Sequence, residues 1–271
     1  PHTSGIIGVH VWGRPCDVER LEWIARKHRL GLLYDAAHAF ACSHHGRMIG
    51  SFGNAEVYSF HATKFVNTFE GGAVVTNDDD LAARIRLMKN FGFAGTDNVI
   101  YIGTNGKMCE ISAAMGLTAL DGLDALIAVN RRNHGLYQRG LASVPGLDLV
   151  VYDGADKCNY QYVAVVVDRD RLRLSRDDLV RVLAAENVLA RRYFYPGCHR
   201  MEPYRSYFPN AGLLLPRTEA LTKQVMCLPT GTTIDPGMIE TICHILKLAA
   251  TAPDEVHRAL HGSEPSRTGP S

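Results

Sequence analysis

The chain has 271 residues, 46% of them hydrophobic and 21% charged, with 29 Lys plus Arg against 28 Asp plus Glu and a formal net charge of +1. That apolar content supports a sizeable core and excludes global disorder, and the length allows roughly two domains at about 150 residues each. The near-balanced charge, without a long single-sign run, points away from a nucleic-acid partner.

Seven scattered cysteines form no C-x-x-C pair. Together with the lack of a secretory leader or of an apolar run of about 18 residues, they read as a reduced, soluble, cytoplasmic protein. Twelve histidines raise the question of a metal. Neither H-E-x-x-H nor a Cys/His ligand spacing occurs, so none is expected, and His44-His45 before Gly46 reads as a turn.

In chain order, Gly5 to Val11 reads as a core strand, and Asp17 can cap a helix over residues 18–28 whose Leu21, Ile24 and Ala25 share a face. Short apolar runs at residues 30–34, 57–60 and 73–76 read as buried strands. Asn77 is expected to cap a helix over 78–90 whose acidic start and basic end suit the macrodipole. Strands alternating with helices argue for a parallel sheet with ligands at the strand ends. A glycine-bearing loop over 93–108 precedes a long helical pattern over 110–142, with a break expected near Gly122 or Gly135. Beyond it, strands are expected at 147–152, 160–167 and 188–193, a helix capped by Ser175 runs to 186, and another starts at Pro236. Residues 263–271 read as a frayed tail.

The chemistry concentrates in two stretches. EVYSFHATKFVNTFEGGAVVTN, residues 56–77, puts Lys64 in a polar loop between two strands, with Ser59 ending the first. Desolvation or a nearby cation lowers a lysine's pKa and makes it a nucleophile suited to imine formation with a carbonyl; a solvated loop lysine is the plainer alternative. LLYDAAHAF, residues 32–40, stops a strand at Asp35 and follows it with two alanines. A carboxylate there suits a pyridinium nitrogen, and the alanines let a flat ring approach. No G-x-S-x-G elbow is present, which disfavours a hydrolase of the α/β class.

The order strand-Asp35, strand-Ser59-x-x-x-x-Lys64, Gly71-Gly72 and strand resembles the sugar aminotransferases of the DegT/DnrJ/EryC1/StrS family. VHVWG, GSFG, NGKMCEISAAMGL, YPGCH and LPTGTT extend the resemblance to near residue 230. It implies an α/β fold of fold type I, aspartate aminotransferase-like. The large pyridoxal-phosphate-binding domain, residues 1–133, would have a mainly parallel sheet and lack an N-terminal portion; a smaller α+β domain would follow at 134–262. It implies a pyridoxal 5'-phosphate-dependent transaminase that moves an amino group from an amino acid, glutamate for most relatives, to a nucleotide-linked keto-deoxysugar. SFHATKFVNTFEGG is most similar to the branch acting at C4 of dTDP-4-keto-6-deoxyhexoses. Amination at C3, or an inactive paralogue serving as a binding or regulatory subunit, are the alternatives.

Residue by residue, the resemblance implies that Lys64 holds the cofactor and Asp35 keeps its ring nitrogen protonated. His38, where many relatives have glutamine, lies near the phenolic oxygen; histidine titrates near pH 6.5, which implies a more pH-sensitive activity. Ser59 bonds the phosphate, and Asn105 reaches the cofactor phosphate of a second copy in a homodimer with a shared site. Tyr195, His199, His61 and Lys107 contact substrate. Relatives that dehydrate sugars carry histidine in place of the lysine, so Lys64 implies transamination. The segment RRYFYPGCHRMEPYRSY, residues 191–207, mixes arginines and aromatics. It suits a sugar nucleotide, whose diphosphate takes guanidinium groups and whose base takes flat rings, or else a solvated loop.

Overall fold

The computed structural model of the protein describes residues 2–262; the tail expected at 263–271 lies outside them. The chain divides into two compact units. One comprises the chain through Val129 plus Tyr152–Gln161, the other Asn130–Val151 plus the chain from Tyr162 onward. A single cut after residue 133 does not describe this, because the segment 152–161 belongs with the first unit.

In the first unit, β1 (Gly5–Val9), β2 (Gly31–Asp35), β5 (Ala55–Ser59) and β6 (Gly72–Val75) form a sheet in the order β1-β2-β5-β6. The first two pairings are parallel and β5-β6 is antiparallel. Between β2 and β5 lies a small hairpin of β3 (Ser43–His44) and β4 (Arg47–Met48). α1 (Val18–His28) crosses from β1 to β2, its N-terminus capped by Asp17, which accepts from the Arg20 N–H at 3.1 Å. β2 alternates, with Leu32 and Tyr34 buried, and in β5 Ala55, Glu56 and Tyr58 are buried; Val18 and Ala25 of α1 share a core cluster with Leu32, Tyr34 and Tyr58. Burying each large apolar side chain contributes about 1.5–3 kcal/mol.

α2 (Asp79–Met88) starts one residue later than expected, because Asp78 provides the cap, accepting from Leu81 N–H at 2.9 Å, where Asn77 was expected to. A carboxylate is an effective cap and also complements the helix dipole. α3 (Glu110–Asp121) and α4 (Leu123–Leu141) replace the long helical pattern and break at Gly122, bent by 62°. Among the described residues no single helix is long and apolar enough to cross a membrane.

The second unit holds an antiparallel sheet, β7 (Leu147–Leu149), β8 (Val163–Val167) and β9 (Val225–Leu228), in that order. Around it lie α5 (Arg169–Leu172), α6 (Arg176–Ala185), α7 (Tyr204–Tyr207), α8 (Ala211–Leu214), α9 (Pro216–Gln224), α10 (Pro236–Thr251) and α11 (Pro253–His261). Val163, Val165, Leu179, Leu183, Met226, Ile239 and Leu246 share its core. Ser175 caps α6 in a reciprocal capping box with Asp178. The strand expected at 188–193 is absent; only Arg191 makes an isolated bridge, to Cys227. VMCL, at 225–228, has all four residues buried and pairs with β8, and the Arg191 bridge lies against it.

Candidate active site

Two parallel strand ends position the first groups. Asp35 is the last residue of β2, paired with Val9 on one side and Val57 on the other. Its Oδ1 accepts from the Ala37 N–H at 3.0 Å, an Asx-type turn that leads the chain out of the sheet. Ala36 and Ala39 are fully buried, so the segment carries no bulk beside the carboxylate. Ser59 closes β5, and its hydroxyl accepts from His61 N–H at 3.4 Å.

The loop carrying Lys64 is tied by its backbone. Lys64 N–H donates to the His61 carbonyl at 2.8 Å, Thr68 N–H returns to Phe60 at 2.9 Å, and Asn67 Nδ2 holds the Lys64 carbonyl at 3.2 Å. Gln161 Nε2 donates to the Thr63 carbonyl at 3.2 Å. Lys64 is partly buried. Burial pushes its ammonium below the ordinary lysine range, while Asp35 opposes the shift.

His38 joins them. Its Nδ1 accepts from the Trp12 N–H at 3.1 Å, so the neutral ring carries its proton on Nε2. Burial, with the Lys64 charge adding to it and Asp35 opposing, pushes His38 down to about 4. The pH-sensitive histidine implied by the sequence is thus a neutral one at physiological pH, because the ring is desolvated and faces a cation. Asn159 clamps this segment by donating from Nδ2 to the carbonyls of His38 and Phe40, both at 2.9 Å. Gly13 is required opposite: at φ +80°, a Cβ there would sit 3.0 Å from the His38 carbonyl and 3.1 Å from Asn159 Oδ1.

Asp35, His38 and Lys64 therefore sense one another directly, with Ser59 at the adjoining strand end. Trp12, Asn159 and Gln161 escaped the sequence reading, since their partners lie 26, 121 and 98 residues away.

The remaining expected residues make local pairs. His61 Nδ1 lies 2.9 Å from Thr63 Oγ1, and its Nε2 is 3.4 Å from Glu70. Lys107 Nζ donates to Asn105 Oδ1 at 2.7 Å and stands 4.3 Å over the Phe91 ring; both residues are exposed.

In the second unit, the Tyr195 ring has the Arg176 and Arg192 guanidiniums at 5.2 and 5.0 Å. His199 Nε2 lies 2.6 Å from Glu219, and hydrogen bonds from Arg200 and His199 hold that carboxylate down to about 2. The four arginines of the 191–207 segment have internal partners: Arg191 on Tyr193, Arg192 on Asp177, Arg200 on Glu219 and Arg205 on Glu202.

The chain is 35% identical to a dTDP-4-amino-4,6-dideoxy-D-glucose transaminase of Shigella dysenteriae over 91% of its length and 66% of the relative's. It is 32% identical to a GDP-perosamine synthase of Caulobacter vibrioides over 75% of its length and 55% of that protein's. Among solved structures it matches DesI, analysed in the presence of its TDP-sugar product, with 49% identity and a TM-score of 0.89 over 96% of this chain and 66% of that one. The chain spans 66% of the length of the first of these relatives, and its architecture is the expected fold type I. Residues 1–247 carry the sequence signature of the DegT/DnrJ/EryC1/StrS aminotransferases, and the chain belongs to that family.

Proposed function

We propose that the protein is a pyridoxal 5'-phosphate-dependent transaminase that transfers an amino group from L-glutamate to C4 of a dTDP-linked 4-keto-6-deoxyhexose. The observation that carries this reading is the grouping of Asp35, His38 and Lys64 in one electrostatic neighbourhood. The relatives named for C4-amino dTDP-sugars support the substrate class.

The donor set fits the cofactor. It offers an amine of lowered pKa, a carboxylate at a strand end, a hydroxyl at the next strand end and small side chains between them. When bound, the cofactor supplies an electron sink for breaking a bond to hydrogen at the donor carbon. Asp35 holds the proton of the ring nitrogen by charge pairing. Lys64 would anchor the group and, once released, its Nζ would take and return the proton of the donor's Cα as general base and acid. A lowered pKa favours that role, because the free amine is then populated nearer neutrality. His38, with its proton on Nε2, serves as a neutral donor to an oxygen. Ser59 holds phosphate. His61, Lys107, Tyr195 and His199 contact the sugar nucleotide.

The protein works as a homodimer in which Asn105 reaches the second copy's cofactor phosphate. Ile102, Ile111 and Leu117, exposed at 94%, 75% and 66%, support a covering partner on the loop that carries Asn105 and on the helix that follows it.

The test is incubation with pyridoxal phosphate, L-glutamate and dTDP-4-keto-6-deoxyglucose, read by mass spectrometry and NMR. Gain of an amino group at C4 is expected. Water loss, or nitrogen at C3, would overturn the assignment.

His38→Gln is expected to leave the pH profile of the glutamate half-reaction unchanged across about pH 6–8, since the wild-type ring is already neutral there. A profile that flattens on substitution would mean that the imidazole titrates in that range. The sign for stability is also fixed. Below the ordinary value of 6.5 the unfolded chain takes up this proton first, so His38 weakens the fold as pH falls from 6.5 towards about 4.

A further inference from the structure

At the start of α1, three side chains converge. Glu19, in the first turn of α1, meets the β3-β4 hairpin. His44 Nε2 is 3.0 Å from each carboxylate oxygen of Glu19, and His45 Nδ1 is 3.2 Å from Oε1. The three donor atoms lie within 4.8 Å of one another, and the two imidazoles stack with centroids 4.1 Å apart.

The hairpin is fixed in this shape independently of Glu19. Asp156 accepts from the Ser43 hydroxyl at 2.8 Å and from the His45 and Gly46 N–H groups at 2.9 Å each. His45 sits in the left-handed region at φ 49°, which turns its ring back beside His44. His44 is further held edge-on against Phe52, with centroids 6.1 Å apart. Arg47, two residues beyond His45, has its guanidinium 4.4 Å from the Phe52 ring and bonded to the Ser51 carbonyl. Glu19 supplies the one ligand carboxylate, and the Asp156 carboxylate lies behind the turn.

We propose that Glu19, His44 and His45 form a binding site for a divalent transition metal of the zinc class, joining the start of α1 to the hairpin. Zinc binds imidazole nitrogen and carboxylate oxygen at about 2.0–2.2 Å, so donors on a tetrahedron stand roughly 3.3 Å apart. The two measured imidazole-to-carboxylate separations, 3.0 and 3.2 Å, need only slight expansion to reach that. Two imidazoles and one carboxylate form a donor set that suits zinc, nickel or copper better than calcium or magnesium. Glu19 and His45 are exposed, which leaves the fourth position to water or an outside ligand. Asp156 is a positioning residue, acting through the backbone of the turn.

The test is titration of the full chain, without added pyridoxal phosphate, with zinc and with cobalt as its spectroscopic stand-in. The expected result is one saturable site per chain, a cobalt spectrum without thiolate charge transfer, and a melting temperature that rises with free zinc. Glu19→Gln and His45→Ala, both at exposed positions, are each expected to weaken binding at least tenfold. His261→Ala, at the imidazole paired with Asp178 in the other unit, leaves it unchanged. Equal binding in all variants, a thiolate band, or no saturable uptake overturns the proposal. In the last case the cluster is a pair of imidazoles donating to Glu19.

Discussion

Lys64→Ala is expected to abolish the visible absorbance band that forms when the protein is loaded with pyridoxal phosphate, and to slow the half-reaction with glutamate by on the order of 10³-fold or more. On the proposed reading, two functions reside in one amine. It attaches the cofactor, and it carries a proton between two carbons, a role that by itself contributes about 10²–10⁴-fold. Lys64→Arg separates charge from chemistry, because a guanidinium keeps the positive charge but cannot give up its proton near neutral pH. Both variants are therefore expected to fail alike in single-turnover absorbance measurements. A band that survives in Lys64→Ala would sink the assignment of the lysine. No band in the wild-type chain would favour the inactive binding or regulatory subunit.

Glu56→Ala is expected to lower the stability of the first unit by about 3–5 kcal/mol, measured as a shift of the urea midpoint. Glu56 is fully buried, the second residue of the strand that ends at Ser59. Its Oε1 accepts from the N–H groups of Gly50 and Phe52 at 2.8 and 2.7 Å. Its Oε2 faces His10 Nε2 at 3.4 Å, and neither of those atoms has a hydrogen-bond partner elsewhere among the described residues. The Cys16 N–H donates to His10 Nδ1 at 3.1 Å, so a neutral ring has its proton on Nε2, aimed at the carboxylate. Removing Glu56 strands two backbone donors and that imidazole in the interior. Glu56→Gln keeps an acceptor for the backbone groups and is expected to cost about 1–3 kcal/mol. An alanine variant that loses less than about 1 kcal/mol would mean that water enters and satisfies the site.

The local signals were legible where they depend on nearest neighbours. Asp17, Ser175 and Pro236 start helices as read, because a cap or a first-turn proline acts within one turn of the backbone. Gly122 broke the long helical pattern at one of its two expected points. The strand expected at 188–193 failed for a tertiary reason. VMCL supplies a fully buried strand that pairs with β8 along four residues, and Arg191 is left with one bridge at its edge. Propensity cannot tell whether a segment beside a sheet edge extends its pairing beyond one bridge. The helix over 253–261 was missed although a first-turn proline starts it.

By itself, the sequence determined the groups at the strand ends. Asp35 and Ser59 are set by short apolar runs that stop at polar residues, with Lys64 in the polar loop that follows, and such stops are local facts of chain solvation. It also carried the family, since the motifs are contiguous. Only the tertiary structure decided the state of His38, because its neutral ring follows from burial, from the backbone N–H of Trp12 and from the charge of Lys64. The Asn159 clamp, the buried Glu56-His10 contact and the meeting of Glu19 with His44 and His45 were likewise decided there. Each depends on segments distant in sequence being brought together by the sheet and its crossing helix, and on the desolvation that follows, which no local pattern encodes.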